Sequence, residues 1–330
     1  MPLLSRVATT LYVFGRELES AEHLARILRV HSEMSLDRSL PRQARFWPAF
    51  LELAGWPAVR SARRDQAIGM ALGDPDGPSL ARSVEAARQA AQAVRPSLST
   101  EVFEQVNLLY WRIQEGGWEG SLYDHLHQLE LATQLIGGLV EDTMAHDEAW
   151  SFVRLGKFFV RATGVTRLVV RKGVELARSG DDAVAWSSVL RCCSSFEAYR
   201  FRLPAVTRAE AIAFLLFDRV SPRSAGFGVA ESLATVRRID GADSGRPPHR
   251  ALGQLAALFE YADPVDVVRA PAAFGNRVDR LAGEVARTLR QAYFQPIALA
   301  NSVVEGLSSQ PQQQQQQGQW PADYSRTLFV

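Results

Sequence analysis

Along the first thirty residues, Leu4, Val7, Leu11, Phe14, Leu18, Ala21, Ala25 and Leu28 recur in alternating steps of three and four. That rhythm lays one apolar stripe along a helix and predicts a single helix over 4–28, with Ser5 as a candidate N-cap. The stretch from Ser32 to Arg42, punctuated by Pro41, closes it. A second helix carries Phe46, Trp47, Phe50, Leu51 and Leu53 and breaks at Gly55 and Pro57. Asp74-Pro75-Asp76-Gly77-Pro78-Ser79 combines a turn cluster with a helix-start signal, and the following residues, 80–94, are rich in alanine, a strong helix former. Further helices are predicted from Ser99 or Thr100 to the Gly116-Gly117 stop, and over 121–144. No alternating run is long enough to argue for a sheet.

The second half of the chain returns to the same order. Gly156 falls on Gly15, Lys157 on Arg16, Ala162 on Ala21 and Arg167 on Arg26, all at one offset of 141 positions. A repeat of this length implies two copies of a multi-helix unit, not a short solenoid period. Trp186 answers Trp47, and a helix through Leu190 and Phe196 to Tyr199 follows. Asp218-Arg219-Val220-Ser221-Pro222 repeats the Asp-x-x-x-Pro entrance of Asp74 to Pro78. Gly241 to Pro248 is a polar loop, and helices over 253–261 and 278–293 complete the pattern.

The expected fold is therefore all-α: a helical bundle of two homologous multi-helix halves, 1–140 and 141–296, packed as one domain with successive helices mostly antiparallel. The helices over 4–28 and about 148–170 are expected to cross near a pseudo-twofold axis, with Gly15 and Gly156 permitting close approach. A tail over 297–330, with Pro311 and the run Gln312 to Gln317, is low in complexity and expected to be largely disordered.

Composition narrows the function classes. The 330 residues carry a net charge of only +1, so no global field steers nucleic acid or an anionic membrane toward the chain. No apolar run approaches the roughly 20 residues that span a bilayer. Arg6 followed by Val7 to Gly15 imitates a signal peptide, but the helical period continues past Arg16. The only two cysteines, Cys192 and Cys193, are adjacent, a poor geometry for a structural disulfide. A reducing, cytoplasmic setting is expected, with the thiols as small apolar fillers.

The candidate chemistry lies on a second stripe of the opening helix: Tyr12, Gly15, Glu19, Glu22 and Arg26. Spacings of three and four point both carboxylates the same way, with Arg26 one turn beyond Glu22. Such a pair could act as acid and base, or bind a metal with help from another helix. It could equally form surface ion pairs, the commoner use of this spacing. In the second copy the stripe reads Val153, Gly156, Val160, Thr163 and Arg167, so the glycine and arginine persist and both carboxylates are gone. Asp74 and Asp218 are most simply N-cap or turn residues. His125 and His127, two apart on a helix, face different ways and make a poor metal pair. No phosphate-binding glycine loop, nucleophile elbow or zinc spacing is present, and no cofactor or metal is implied.

These segments, together with Leu4-Ser5-Arg6-Val7-Ala8, Leu155-Gly156-Lys157, Asp147-Glu148-Ala149-Trp150, Glu197-Ala198-Tyr199-Arg200 and Phe214 to Arg219 with Pro222-Arg223-Ser224, resemble the bacterial alpha-E domain family over roughly residues 1–294. The family is helical, with an E-R signature inside a G-R-x-x-E-R-A-E-like helix. Glu19 and Glu22 occupy acidic positions of the first signature, where Ser20 replaces the arginine. In the second, Val160 and Thr163 replace the acids and Arg161 keeps the arginine. The family's association with circularly permuted ATP-grasp proteins and transglutaminase-like proteins implies a role in a system that makes or cleaves amide bonds. The resemblance thus suggests an accessory or binding component, with an ATP-grasp ligase or a transglutaminase-like protein as partner. An alternative is an enzyme or ligand-binding protein using the two carboxylates with arginines at the repeat interface, and a third is a structural scaffold. The candidate ligand-binding residues are Arg16, Glu19, Glu22, Arg26, Arg161, Arg167, Glu197 and Arg200.

Overall fold

The computed structural model describes residues 3–36, 45–57, 59–116, 121–176, 182–241 and 245–294. Among them are fourteen α-helices and no strand. The Gln-rich tail, Pro41 and Gly117 lie outside the described residues.

The predicted first helix is α1, Ser5–Met34, which continues past the expected stop at Ser32. Leu4, in extended backbone, is its N-cap residue and Ser5 is already helical, so the cap lies one residue before the expected Ser5, and no side chain caps this end. The other long helix is α7, Glu148–Leu176. Asp147 opens α7 by accepting from the N–H groups of Ala149 and Trp150 at 2.9 and 3.2 Å, as an N-terminal carboxylate should.

α1 and α7 run alongside each other in the same sense. The N–H of Leu3 donates to Glu148 Oε2 at 3.0 Å at one end, and His23 lies beside Gly164 further along. Between these points the helices touch backbone to backbone. A Cβ on Gly15 would sit 2.0 Å from the Val153 carbonyl oxygen, and one on Gly156 would sit 2.1 Å from the Tyr12 carbonyl oxygen. Each glycine therefore meets the carbonyl three residues before the other. Only a residue without Cβ permits this approach.

On one side of this pair come α2 (Phe46–Leu53), α3 (Arg64–Gly73), α4 (Leu80–Ala93), α5 (Thr100–Gln114) and α6 (Leu122–Thr143). α1 packs on α4 and α6, and α5 bridges α4 to α6. On the other side come α8 (Ala183–Cys192), α9 (Phe196–Arg200), α10 (Arg208–Phe217), α11 (Ala225–Asp240), α12 (Pro247–Tyr261), α13 (Pro264–Arg269) and α14 (Pro271–Leu289). α7 packs on α11 and α14, and α12 bridges α11 to α14. A π-helical turn, Arg290–Phe294, then returns to the central pair, with Phe294 tilted against Tyr12 and Tyr293 edge-on to Phe152, ring centroids 5.4 Å apart in both cases. Trp47 of α2 and Trp186 of α8 are both buried.

The turns into α4 and α11 share a construction. Asp74 Oδ1 accepts from the N–H of Asp76 at 3.0 Å, its carbonyl accepts from Ser79 Oγ at 2.7 Å, and Ser79 Oγ caps α4 by accepting from the N–H of Arg82 at 3.3 Å. Asp218 Oδ1 accepts from the N–H groups of Val220 and Ser221 at 2.9 and 2.5 Å, its carbonyl accepts from Ser224 Oγ, and Ser224 Oγ caps α11 through the N–H of Phe227 at 3.0 Å. The aspartates shape the turns and the serines cap the helices.

Several segments differ from the periodicity. α3, α10 and α13 have no counterpart among the predicted helices. The helix expected through Leu190 to Tyr199 divides into α8 and α9 at Ser194, whose φ of 49° lies in the left-handed region. α12 begins at Pro247 and α14 at Pro271, each earlier than predicted, because a proline at the first helical turn supplies the helical φ and loses no hydrogen bond there.

Candidate functional site

The second stripe of α1 does not face solvent. Glu19 and Glu22 are each 4% exposed and Arg26 is 1% exposed. Burying a charge is costly unless it is paired and hydrogen-bonded, and each of these is. Arg161 of α7 donates to Glu19 through two parallel bonds, Nε to Oε1 at 2.7 Å and Nη2 to Oε2 at 2.6 Å. The same guanidinium donates from Nη1 to the Pro222 carbonyl at 3.1 Å, so it also pins the turn before α11.

That turn supplies Arg223, whose Nη2 donates to Glu22 Oε1 at 2.5 Å while Nη1 lies 3.5 Å from Glu19 Oε1. Glu22 Oε1 also accepts from Arg26 and, at 3.2 Å, from Gln134 Nε2 of α6. Beyond it, Arg26 Nε lies 3.7 Å from Glu130 of α6, which Arg29 grips at 2.7 and 3.2 Å. Four elements, α1, α6, α7 and the turn before α11, therefore meet in one network.

Electrostatics follow from these contacts. Burial pushes the Glu19 carboxyl up, but the Arg161 guanidinium, reinforced by Arg223, holds it below the usual carboxylate range. Burial likewise raises Glu22, and Arg26 with Arg223 overcomes this and lowers it well below that range. Both acids are ionised at neutral pH, so neither is poised to donate a proton. Lys157, one turn before Arg161, is shifted the other way: burial and the neighbouring Arg161 depress its ammonium, against the opposing pull of Glu19, Glu141 and Glu22.

Two cavities flank the Glu19–Arg161 pair. One, of about 310 Å³, opens between α1, α6, α7 and the Pro222-Arg223 turn, and Glu19, Glu22, Lys157, Arg161 and Arg223 line it. The other, of about 150 Å³, lies on the opposite side of the pair and includes Ser20, His23, Val160, Thr163 and Arg167.

Of the residues singled out from sequence, Glu19, Glu22, Arg26 and Arg161 meet here. Arg167 does not join them; it lines the smaller cavity. Arg16 is buried but turned to its neighbour Glu17, with Nε and Nη2 donating at 3.0 and 2.5 Å. Glu197 and Arg200 sit exposed on α9, where Arg200 lies 5.7 Å over the Phe196 ring, and neither lines either cavity. A short exposed helix cannot bring them to the central pair. Conversely, Arg223, Glu130, Gln134 and Lys157 belong to the site and were not singled out. A sequence signal exists for Arg223: it is one extra residue between Pro222 and the capping Ser224, where Pro78 is followed directly by the capping Ser79.

Among the described residues, no group of three or more His, Cys, Asp and Glu side chains is placed to hold a metal ion, and no helix is long and apolar enough to cross a membrane. Cys192 and Cys193 are buried free thiols, and burial pushes Cys192 up to about 12 and Cys193 higher still.

Three curated mycobacterial proteins align with the chain. "Uncharacterized protein Rv2567" of Mycobacterium tuberculosis (strain ATCC 25618 / H37Rv) is 24% identical over 290 residues, covering 79% of this chain and 33% of its own length. "Uncharacterized protein Mb2597" of Mycobacterium bovis shows the same identity and coverage. The chain thus spans about a third of the length of these relatives. No solved structure matches it. The model of the Alpha-E family, described as "a predicted alpha-helical domain with a conserved ER motif", matches residues 3–294. The chain contains no Glu-Arg dipeptide, and Glu19 of α1 and Arg161 of α7 bind each other. With nearly all of its described length matched, the chain belongs to the Alpha-E family.

Proposed function

We propose that this protein is a non-catalytic binding component of an ATP-grasp-linked system that modifies peptides through amide bonds. The observation that carries this reading is the state of its carboxylates. Glu19 and Glu22 are buried, ionised and held by Arg161, Arg26 and Arg223, an arrangement suited to shaping a cavity wall and ill suited to proton transfer. The relatives are about three times longer than the matched region, which supports a module that works joined to, or beside, other domains. A ligase of the ATP-grasp class is the expected partner on the family resemblance, and the cytoplasm the expected setting.

The same proposal includes an origin by internal duplication, with halves 1–140 and 141–296 in one body. Three correspondences support it: the reciprocal contact of Gly15 and Gly156, the matching Asp74–Ser79 and Asp218–Ser224 turns, and the parallel packing of α4, α5 and α6 on α1 and of α11, α12 and α14 on α7. Under this reading the two cavities are equivalents. One keeps Glu19, Glu22 and Arg161; the other carries Val160, Thr163 and Ser20 at the corresponding positions. The carboxylate pair of Glu19 and Glu22 would then be present in one copy and absent from the other.

Co-purification with an ATP-grasp protein encoded beside it, followed by ATP-dependent ligation assays with and without this protein, tests the reading. A stable complex and stimulated ligation are expected. No complex and unchanged ligation would sink it, and turnover by this protein alone that is lost in Glu22→Gln would replace it with the enzyme reading.

A further inference from the structure

The larger cavity is bordered by one cation that makes no direct ion pair. Three guanidinium groups line it, and each is neutralised: Arg161 by Glu19, Arg223 by Glu22, and Arg154 by Glu141 at 2.9 and 2.8 Å and by Glu231. The remaining cation is Lys157. Among the described residues, no carboxylate oxygen lies within 4.0 Å of its Nζ and no acceptor bonds it. The side chain is half-buried, its Nζ 5.6 Å from the Phe158 ring centroid, and its ammonium borders the cavity without a carboxylate in contact.

The wall opposite Lys157 is made of two adjacent glycines of α6. A Cβ on Gly137 would lie 3.3 Å from Lys157 Nζ, and one on Gly138 would meet nothing within 4 Å. The wall is bare where a side chain would otherwise cover the ammonium. Leu18, Val140 and Val153 supply apolar surface in the same cavity. At about 310 Å³ the space lies at the small end of ligand sites, which run from roughly 300 to 1,000 Å³.

We propose that this cavity binds a single carboxylate group, of a free amino acid or of a peptide C-terminus, with the Lys157 ammonium as its counter-ion. The lining favours the class. Lys157 offers one cation with no carboxylate in direct contact, whereas a phosphate dianion would bring two charges toward Glu19, Glu22 and Glu141. The apolar patch suits a short side chain beside the carboxylate. The inference rests on the binding-component reading above and names the kind of molecule bound.

Calorimetric titration of the intact protein at neutral pH tests it. The ligands are N-acetylalanine, its methyl ester, free alanine, a tripeptide ending in alanine, its C-terminal amide and inorganic phosphate. N-acetylalanine should bind saturably and the ester at least about tenfold more weakly, since the ester cannot pair with the ammonium. Lys157→Met should lose a similar factor. Gly138→Leu should block binding while leaving the lysine in place, and it decides the matter should Lys157→Met fail to fold by circular dichroism. Tighter binding of free alanine identifies an amino acid, and tighter binding of the tripeptide identifies a chain terminus; both support the site. Equal binding of acid and ester, preference for phosphate, no saturable carboxylate binding, or unchanged binding in both variants would overturn it. No ligase is present in this titration. A failed co-purification therefore leaves carboxylate binding to be judged alone, and absent carboxylate binding leaves the ligase complex untouched.

Discussion

Glu19 on α1 and Arg161 on α7 form a two-point ion pair across 142 residues of sequence. The pair ties the helices together a little more than one turn beyond the glycine contact, so packing and charge reinforce the same register. Removing one partner leaves the other buried and uncompensated. Glu19→Ala and Arg161→Ala should each destabilise by about 3–5 kcal/mol. The double change Glu19→Leu/Arg161→Met should cost less than either single one, read by urea denaturation.

The glycine contact gives a sharper expectation. Gly15→Ala places a methyl 2.0 Å from a carbonyl oxygen, a position that no side-chain motion relieves. The helices must separate, and the cost should reach about 4 kcal/mol or more, or prevent folding altogether. Gly253→Ala, where nothing lies within 4 Å, is the control and should be neutral or stabilise by up to about 1 kcal/mol. Thermal unfolding of the two variants distinguishes them.

His31 is buried, stacks on Phe46 with ring centroids 4.0 Å apart, and its Nε2 lies 3.0 Å from the Phe46 carbonyl, which fixes that nitrogen as the proton donor. Burial, with Lys172 adding to it, pulls its pKa down to about 3. The unfolded chain protonates this ring near pH 6.5 and the folded protein does not, so stability is full above about 6.5 and is lost as pH falls toward 3. The loss should approach about 1.4 kcal/mol per pH unit in the window above the carboxylates. His31→Gln, which retains a donor for the Phe46 carbonyl, should lessen but not abolish the slope of the urea midpoint between pH 6.5 and 5, because burial also pulls His23 down to about 4.

The adjacent thiols should be inert. With Cys192 pushed up to about 12 and both side chains buried, little thiolate exists at pH 8. Labelling with a chromogenic disulfide reagent should be slow in the folded protein and account for both cysteines in urea. Rapid labelling of the folded protein would contradict this burial.

The helical nature of the chain was legible wherever apolar residues kept a long rhythm. Tyr12, Gly15, Glu19, Glu22 and Arg26 could be placed on one face because a 3.6-residue period leaves no alternative for steps of three and four. α3 was not legible, since its buried Ala67, Ile68, Ala71 and Leu72 span under two turns and Gly69 interrupts them. The break between α8 and α9 was hidden because Ser194 adopts a left-handed conformation that no glycine announced. For the site, spacing identified the acids and said nothing of their partners. Arg223 reaches Glu22 from 201 residues away, through a turn whose position depends on the whole second half. Periodicity reports one helix face at a time, and ion pairs between distant elements lie outside it.

That separation bears on how the protein is made. α1 is synthesised before α7 and α11, and Arg161 and Arg223, which complete the pairing of Glu19 and Glu22, are among the later parts to follow. Until Arg161 and Arg223 have been synthesised, the nascent helix presents two carboxylates that it cannot bury and a bare glycine notch with no carbonyl to fill it. The first half must wait for the second, and a fragment that stops before α7 should remain open and vulnerable to proteolysis.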